Sequence, residues 1–244
     1  MAVDIQDFLR KIEQDPTLRQ GLTTLLEAAA PDKPQLDNAS EDFLEWTDED
    51  TLSEWVNEKM VRRLPASRTH QDLAGFLASI LRIYTETHAL GTIYFAPFQM
   101  KLKHSRRKPD LLFVSHEHLD RLKTTYLDGP ADLIIEIVSL DSVEQDRGKK
   151  FVEYEAAYVP EYWLIDPLRQ WAECYQLGEE DRYITAFAGN KGAYHAAVLL
   201  DFWLKIEWLW QTPLPPVLDV ICELGLLEAR TQTLKHQHTN TLTH

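Results

Sequence analysis

The residue most in need of a chemical explanation is Glu136, set inside ADLIIEIVSL at positions 131–140. Its neighbours Leu133, Ile134, Ile135, Ile137 and Val138 are apolar and mostly β-branched, the composition of a strand covered on both faces. An ionised carboxylate there is costly unless it is paired or bound to a metal. Ordinary packing would place valine or isoleucine at this position. Three residues are candidate companions: Asp110, Lys150 and Glu54. Carboxylates are hard oxygen ligands for a divalent cation, and a lysine supplies a counter-charge. The chemistry in view is metal-assisted hydrolysis, with a purely structural ion pair as the plainer alternative.

These side chains need elements to bring them together. A helix is expected from about Ser142 to Tyr158, directly after the Glu136 strand. On a 3.6-residue period Val143, Arg147, Lys150, Phe151, Tyr154 and Tyr158 share one face, while Lys149, Glu153 and Ala156 fall on another. Lys150, rather than Lys149, should therefore meet the sheet. Along the strand, Ile134, Glu136 and Val138 share one pleat, and Ile135 and Ile137 the other. Asp110 opens a further apolar strand in RRKPDLLFV, although Pro-Asp taken alone reads as a turn signal before it reads as a site.

Elsewhere the chain alternates helical and extended patterns. Residues 4–29 read as two short amphipathic helices broken near Pro16, and 30–40 as a linker, with Ser40 capping a short acidic helix. A strand is expected over 55–64. Ser67 should cap a strong helix, because Leu73, Phe76, Leu77, Ile80, Leu81 and Tyr84 follow helical spacing up to a stop at Gly91. TIYFAPFQMKL reads as a strand bent at Pro97, DLLFVS as another, and HEHLDRLKTTY as a short helix. EYWLIDP and WAECYQL form a strand pair, RYITAFA and 194–208 add strands, and 214–227 closes as a helix. This order gives an α/β (α+β) fold with a mixed sheet. The expected divisions are an N-terminal helical appendage and linker (1–39), a main domain (40–228) and a polar tail (229–244).

With 44% hydrophobic and 26% charged residues, the chain has an ordinary globular composition. It has no run of the roughly 18 apolar residues needed for a membrane span, and its N-terminus lacks a signal pattern, so a cytoplasmic location is expected. Cys174 and Cys222 have no ligand-type spacing and are expected to be buried small hydrophobes. The net charge of −14 argues against a general nucleic-acid coat protein. The one concentrated basic stretch, Lys101, Lys103, Arg106, Arg107 and Lys108 with His104, directly precedes Asp110. It could guide a phosphate backbone, or it could be a solvated loop.

KPDLLFV, DLIIEIVS and DRGKKFVEYEAAYVPEYWLIDP together resemble the Uma-type family of putative restriction endonucleases, within the PD-(D/E)XK nuclease superfamily. The likeness runs from about Phe43 to Leu209 and is most specific over 146–167. It implies a restriction-endonuclease-like mixed β-sheet flanked by helices. It also implies Mg²⁺ (or Mn²⁺) as cofactor, DNA as substrate and a homodimer as assembly. By this resemblance Asp110 is the first acid, Glu136 the second, and the Ile137 carbonyl an added ligand. The superfamily's usual lysine, two residues after the second acid, is Val138 here; the lysine function falls to Lys150, in agreement with the helical period. Glu54 matches an N-terminal glutamate that serves as outer ligand or water holder, with Glu58 the weaker alternative. Two departures stand out: relatives often read Ser-Pro where this chain has Ser139 and Leu140, and many carry an acid near Gln99.

Mg²⁺ prefers oxygen ligands and keeps several waters, which suits hydrolysis of a phosphodiester shielded by its own negative oxygens. His70 falls on the inward face of its helix and reads as a satisfied core histidine before a catalytic one. Trp203, Trp208 and Trp210 read as core or dimer surface before base-stacking groups. The rival to a nuclease is a catalytically degenerate version of the fold, acting as a dimeric DNA-binding or protein-interaction module. A hydrolase of another phosphodiester would share the same site.

Overall fold

The computed structural model describes residues 53–56, 59–62, 67–139 and 145–226, with backbone alone at 53–56, 59–62 and 145–147. All of them belong to the compact unit Phe43–His244. The expected N-terminal helices and linker, the Ser40 cap, Glu58, the polar tail and the side chain of Glu54 lie outside the described residues.

The strands are β1 (Ser53–Val56), β2 (Lys59–Arg62), β3 (Gly91–Phe95), β4 (Gln99–Lys101), β5 (Ser105–Arg107), β6 (Leu111–Ser115) and β7 (Tyr126–Asp128). After these come β8 (Leu133–Ile137), β9 (Glu161–Asp166), β10 (Trp171–Leu177), β11 (Tyr183–Gly189), β12 (Ala193–His195) and β13 (Trp203–Lys205). The helices are α1 (Arg68–Thr87), α2 (Phe151–Ala156) and α3 (Val217–Glu223). Six strands form a central mixed sheet in the order β11-β10-β9-β8-β6-β3, in which only β8 and β9 run parallel. A parallel pair needs a long crossover, and the segment carrying Lys150 supplies it.

The two faces of this sheet bury separate cores. Leu111, Phe113, Leu133, Ile135 and Ile137 face one side and pack with Leu73, Phe76, Leu77 and Ile80 of α1. Leu112, Val114, Ile134 and Val138 face the other and pack with Tyr154 of α2, Tyr162, and Met100 and Leu127 from a second sheet. That second sheet, of order β2-β1-β5-β4-β7, is a layer the sequence patterns do not reveal. All five residues of β8 are buried, as expected for a strand covered on both sides.

α1 matches its sequence signature. The Ser67 hydroxyl accepts the His70 N–H at 3.2 Å, and the helix buries His70, Leu73, Phe76, Leu77, Ile80, Leu81 and Tyr84. Gly91 follows it at a close approach of backbones, since a Cβ there would lie 2.1 Å from the Val114 carbonyl.

Several local expectations are corrected. The strand expected through Pro97 divides: Phe98 N–H closes a turn onto the Phe95 carbonyl, and β3 and β4 join different sheets. Residues 55–64 are not one strand, because β1 and β2 pair antiparallel with Glu54 opposite Val61. His116–Arg121 is a 3-10 turn leading to β7 rather than a helix through Tyr126. The helix after β8 begins as a π-helical turn, Gln145–Lys150, and ends at Ala156. The helical period therefore does not reach Tyr158, which turns outward at positive φ. α3 is confined to Val217–Glu223 behind Pro213, Pro215 and Pro216, and Cys222 is exposed while Cys174 is buried. Among the described residues no helix is long and apolar enough to cross a membrane.

Candidate active site

Glu136 sits at the centre of β8 with no exposed surface, and Lys150 meets it from the crossover, equally buried. Lys150 Nζ lies 2.8 Å from Glu136 Oε2, and the Tyr154 hydroxyl donates to Glu136 Oε1 at 2.8 Å. The lysine and tyrosine are four residues apart, so one helical face delivers both to the carboxylate. Lys149 is exposed, as the helical period requires.

Asp110 stands at the mouth of β6. The register of β6 against β8 pairs Leu111 with Ile135 and Leu112 with Ile134. Continued by one residue, it sets Asp110 opposite Glu136. Asp110 Oδ2 accepts the Ile137 N–H at 2.7 Å, which fastens the carboxylate to the peptide that follows Glu136. His70 Nε2, from the first turn of α1, is 3.1 Å from the same oxygen. Two donors thus converge on one oxygen of a 95% buried carboxylate. His70 is a buried histidine on the inward face of α1, as expected, and the partner of its Nε2 is Asp110.

The donors present fit a hard divalent cation. Among the described residues no group of three or more His, Cys, Asp or Glu side chains is arranged to hold a metal, which is unlike a structural zinc site. Two carboxylates on facing strand positions suit an ion that keeps several waters and takes substrate oxygens. The Ile137 amide faces the β6 side, where the continued register sets Pro109, a residue with no N–H to give the Ile137 carbonyl. That carbonyl is a fitting third oxygen. Gln99 is buried, and its Oε1 has no hydrogen-bond partner among the described residues.

The basic stretch is not an open loop. Arg106, Arg107 and Lys108 are buried, the two arginines within β5. Arg107 Nε donates to Glu153 Oε2 at 2.9 Å, and Ser105 donates to the other oxygen of Glu153. Arg106 lies over the Tyr126 ring. Only Lys103 and His104 are exposed, with Lys101 half-buried beside Asp128. β1, which carries Glu54, pairs with β5 through Trp55 and Arg106. Trp208 is buried, and Trp203 and Trp210 pack against the same core, so the tryptophans are packing groups. The sequence reading did not identify Tyr154 as a partner of Glu136; its i+4 spacing from Lys150 was the available signal.

Ser115, His118 and Asp132 form a second polar group, with His118 Nδ1 2.7 Å from Asp132 Oδ1 and 3.3 Å from Ser115 Oγ. Both contacts use the same ring nitrogen. A relay needs one nitrogen for each partner, so this group is a structural clasp.

The sequence pattern of the family described as "Uma2: Putative restriction endonuclease" matches residues 40–207. Among solved structures, the chain is similar to a protein from Anabaena variabilis described as a putative nuclease belonging to DUF820. The TM-score is 0.61 at 16% identity, covering 70% of this chain and 96% of that one. At that identity the likeness shows a shared fold. No curated protein matches the chain. Since the family pattern spans more than half of the sequence, including both acids and Lys150, this chain belongs to the Uma2 family.

Proposed function

We propose that the chain is a Mg²⁺-dependent endonuclease that hydrolyses DNA phosphodiester bonds, with Mn²⁺ able to substitute. One observation carries this reading: a buried Glu136–Lys150 pair in the central sheet, opposite an acid fastened to the adjoining peptide. A divalent ion bound there would polarise a phosphoryl oxygen and make a bound water more acidic. Asp110, Glu136 and the Ile137 carbonyl would hold it. Lys150, fixed by Glu136, would orient the attacking water or offset charge developing on phosphorus. Tyr154 fixes the second oxygen of Glu136, so that the carboxylate cannot rotate freely. Glu54 is the proposed outer ligand or water holder, and Lys101 and Lys103 the proposed contacts to the DNA backbone beside the site. Arg106, Arg107 and Lys108, turned inward, are proposed to shape that edge rather than to grip phosphates.

The test is incubation of the purified protein with plasmid and Mg²⁺. Cleavage is expected, and Asp110→Ala and Glu136→Ala should each abolish it. Cleavage that persists in either variant would remove the proposed site. A degenerate, dimeric binding protein is the second reading, favoured by the burial of most of the basic stretch. It predicts intact nucleic-acid or protein binding with no response to metal. Sedimentation of the full chain tests the proposed homodimer.

A further inference from the structure

A groove of about 350 Å³ leads away from Asp110 between α1 and the edge strand β3. Its volume is at the lower end of the roughly 300–1,000 Å³ typical of small-ligand sites. His70 and Asp110 stand at one end and Arg82 lines the other. From His70 to Arg82 the helix advances about 18 Å at 1.5 Å per residue. A larger groove, of about 1,040 Å³, runs along another side of α1; Asp110 lines only the smaller one, and Glu136 and Lys150 line neither.

The walls of the smaller groove are apolar and low. α1 contributes Ala74, Gly75 and Ala78, and β3 contributes Ile93 and Phe95. Phe95 is 53% exposed. Its position is fixed relative to the acid, because it pairs with Leu111 and the next amide, Ala96 N–H, donates to the Asp110 carbonyl. Neighbouring strands lie about 4.8 Å apart, so the ring is within reach of one nucleotide from a phosphate held at Asp110. Gly75 lies mid-helix, where glycine is unfavourable, yet a Cβ there would meet nothing within 4 Å. Among the described residues no contact requires a glycine here, and a long side chain at this position would project into the groove.

Charge narrows the choice of occupant. Arg82 pairs with Glu86 at 3.1 Å on the exposed rim, so the distal end carries no net positive charge to favour a phosphate backbone. The groove suits an uncharged, flat body with one polar edge, and the Gln71 amide at the rim can both donate and accept. We infer that this groove receives an unpaired nucleobase next to the scissile phosphate, stacked on Phe95. This rests on the nuclease reading for the position of the phosphate. The substrate is then DNA with a base free of its partner, in a single strand, a bulge or a flipped-out nucleotide.

The test separates the groove from the chemistry. Full-length protein in EDTA is titrated by fluorescence anisotropy with three labelled oligonucleotides: a single strand, a duplex with a one-base bulge and a fully paired duplex. The two substrates with unpaired bases are expected to bind at least about tenfold more tightly than the paired one. Phe95→Ala and Gly75→Leu should each erase that preference, whereas Gly75→Ala, which leaves the groove open, should keep it. Thermal unfolding confirms that all three variants fold. Equal affinity for the three substrates, no binding to any of them, or a preference that survives both Phe95→Ala and Gly75→Leu overturns the inference. Cleavage of the same substrates in Mg²⁺ is scored separately. Cleavage without the preference defeats the groove alone, and the preference without cleavage defeats the nuclease alone.

Discussion

Lys150 and Glu136 form an ion pair of 2.8 Å between Nζ and Oε2, with neither side chain open to solvent. Desolvating two charges is expensive, and their attraction repays it only when geometry and further hydrogen bonds are good. Tyr154 supplies one such bond. Removing one partner should therefore cost far more than removing both. Lys150→Met alone is expected to destabilise the protein by about 3–5 kcal/mol, while the double variant Glu136→Leu with Lys150→Met recovers most of the loss. Urea unfolding midpoints measure both. A double variant as unstable as the single one would show that the pair is not coupled.

Metal should stabilise the folded chain through the two acids. An ion that binds only the native state adds about 2.7 kcal/mol at a hundredfold excess over its Kd. Titration with Mg²⁺ or Mn²⁺ is expected to raise Tm by several degrees, and Asp110→Asn or Glu136→Gln to remove the effect. A shift that survives both substitutions would place the ion elsewhere.

The reach of the sequence is clear from particular residues. Glu136 was legible because a single charge inside Leu133–Val138 breaks a buried pattern, and Lys150 because helical spacing chooses it over Lys149. α1 was legible because cap, period and stop all agree. The inward turn of Arg106 and Arg107 was not. In sequence they look like a solvated run, and only the pairing of β5 with β4 and β1, with Glu153 arriving from α2, buries them. The contacts with β1 and with Glu153 join residues more than forty positions apart, beyond any local period. The π-helical start of the crossover was hidden for a related reason, since Lys150 and Tyr154 suit a regular helix equally well.

His70 is expected to act through Asp110. It shares with the Ile137 amide the task of holding Oδ2, and it is fixed by the Ser67 cap at the start of α1. Outer partners of metal-binding side chains typically matter by about 10–100-fold in affinity. His70→Leu should weaken Mg²⁺ binding by that factor, read from metal titrations of Tm, with activity largely restored at saturating metal. His70→Gln, which keeps a donor, should recover part of the affinity. Unchanged metal affinity in His70→Leu would reduce the residue to a packing role.

Glu155 carries a pH dependence whose sign can be derived. The Tyr183 N–H donates to its Oε2 at 2.7 Å, and Arg182 donates to Oε1 at 2.6 Å. The backbone bond first, and the arginine second, hold this carboxyl below the usual range. A carboxyl depressed in the folded state binds its proton more readily in the unfolded chain. Its contribution is therefore fully present above the ordinary glutamate value of about 4.3 and is lost as pH falls through the lower folded value. These two bonds tie the end of α2 to the start of β11. Glu155→Gln is expected to lower Tm by about 2–4 °C at pH 7, the scale of one lost bond in a chain of this size. The gap between variant and parent should narrow as pH falls below the ordinary glutamate value of about 4.3, as the parent's own carboxyl takes up its proton. Thermal unfolding of both proteins from pH 3 to 8 measures it, and a difference that stayed constant across that range would mean that packing, not charge, makes the contact.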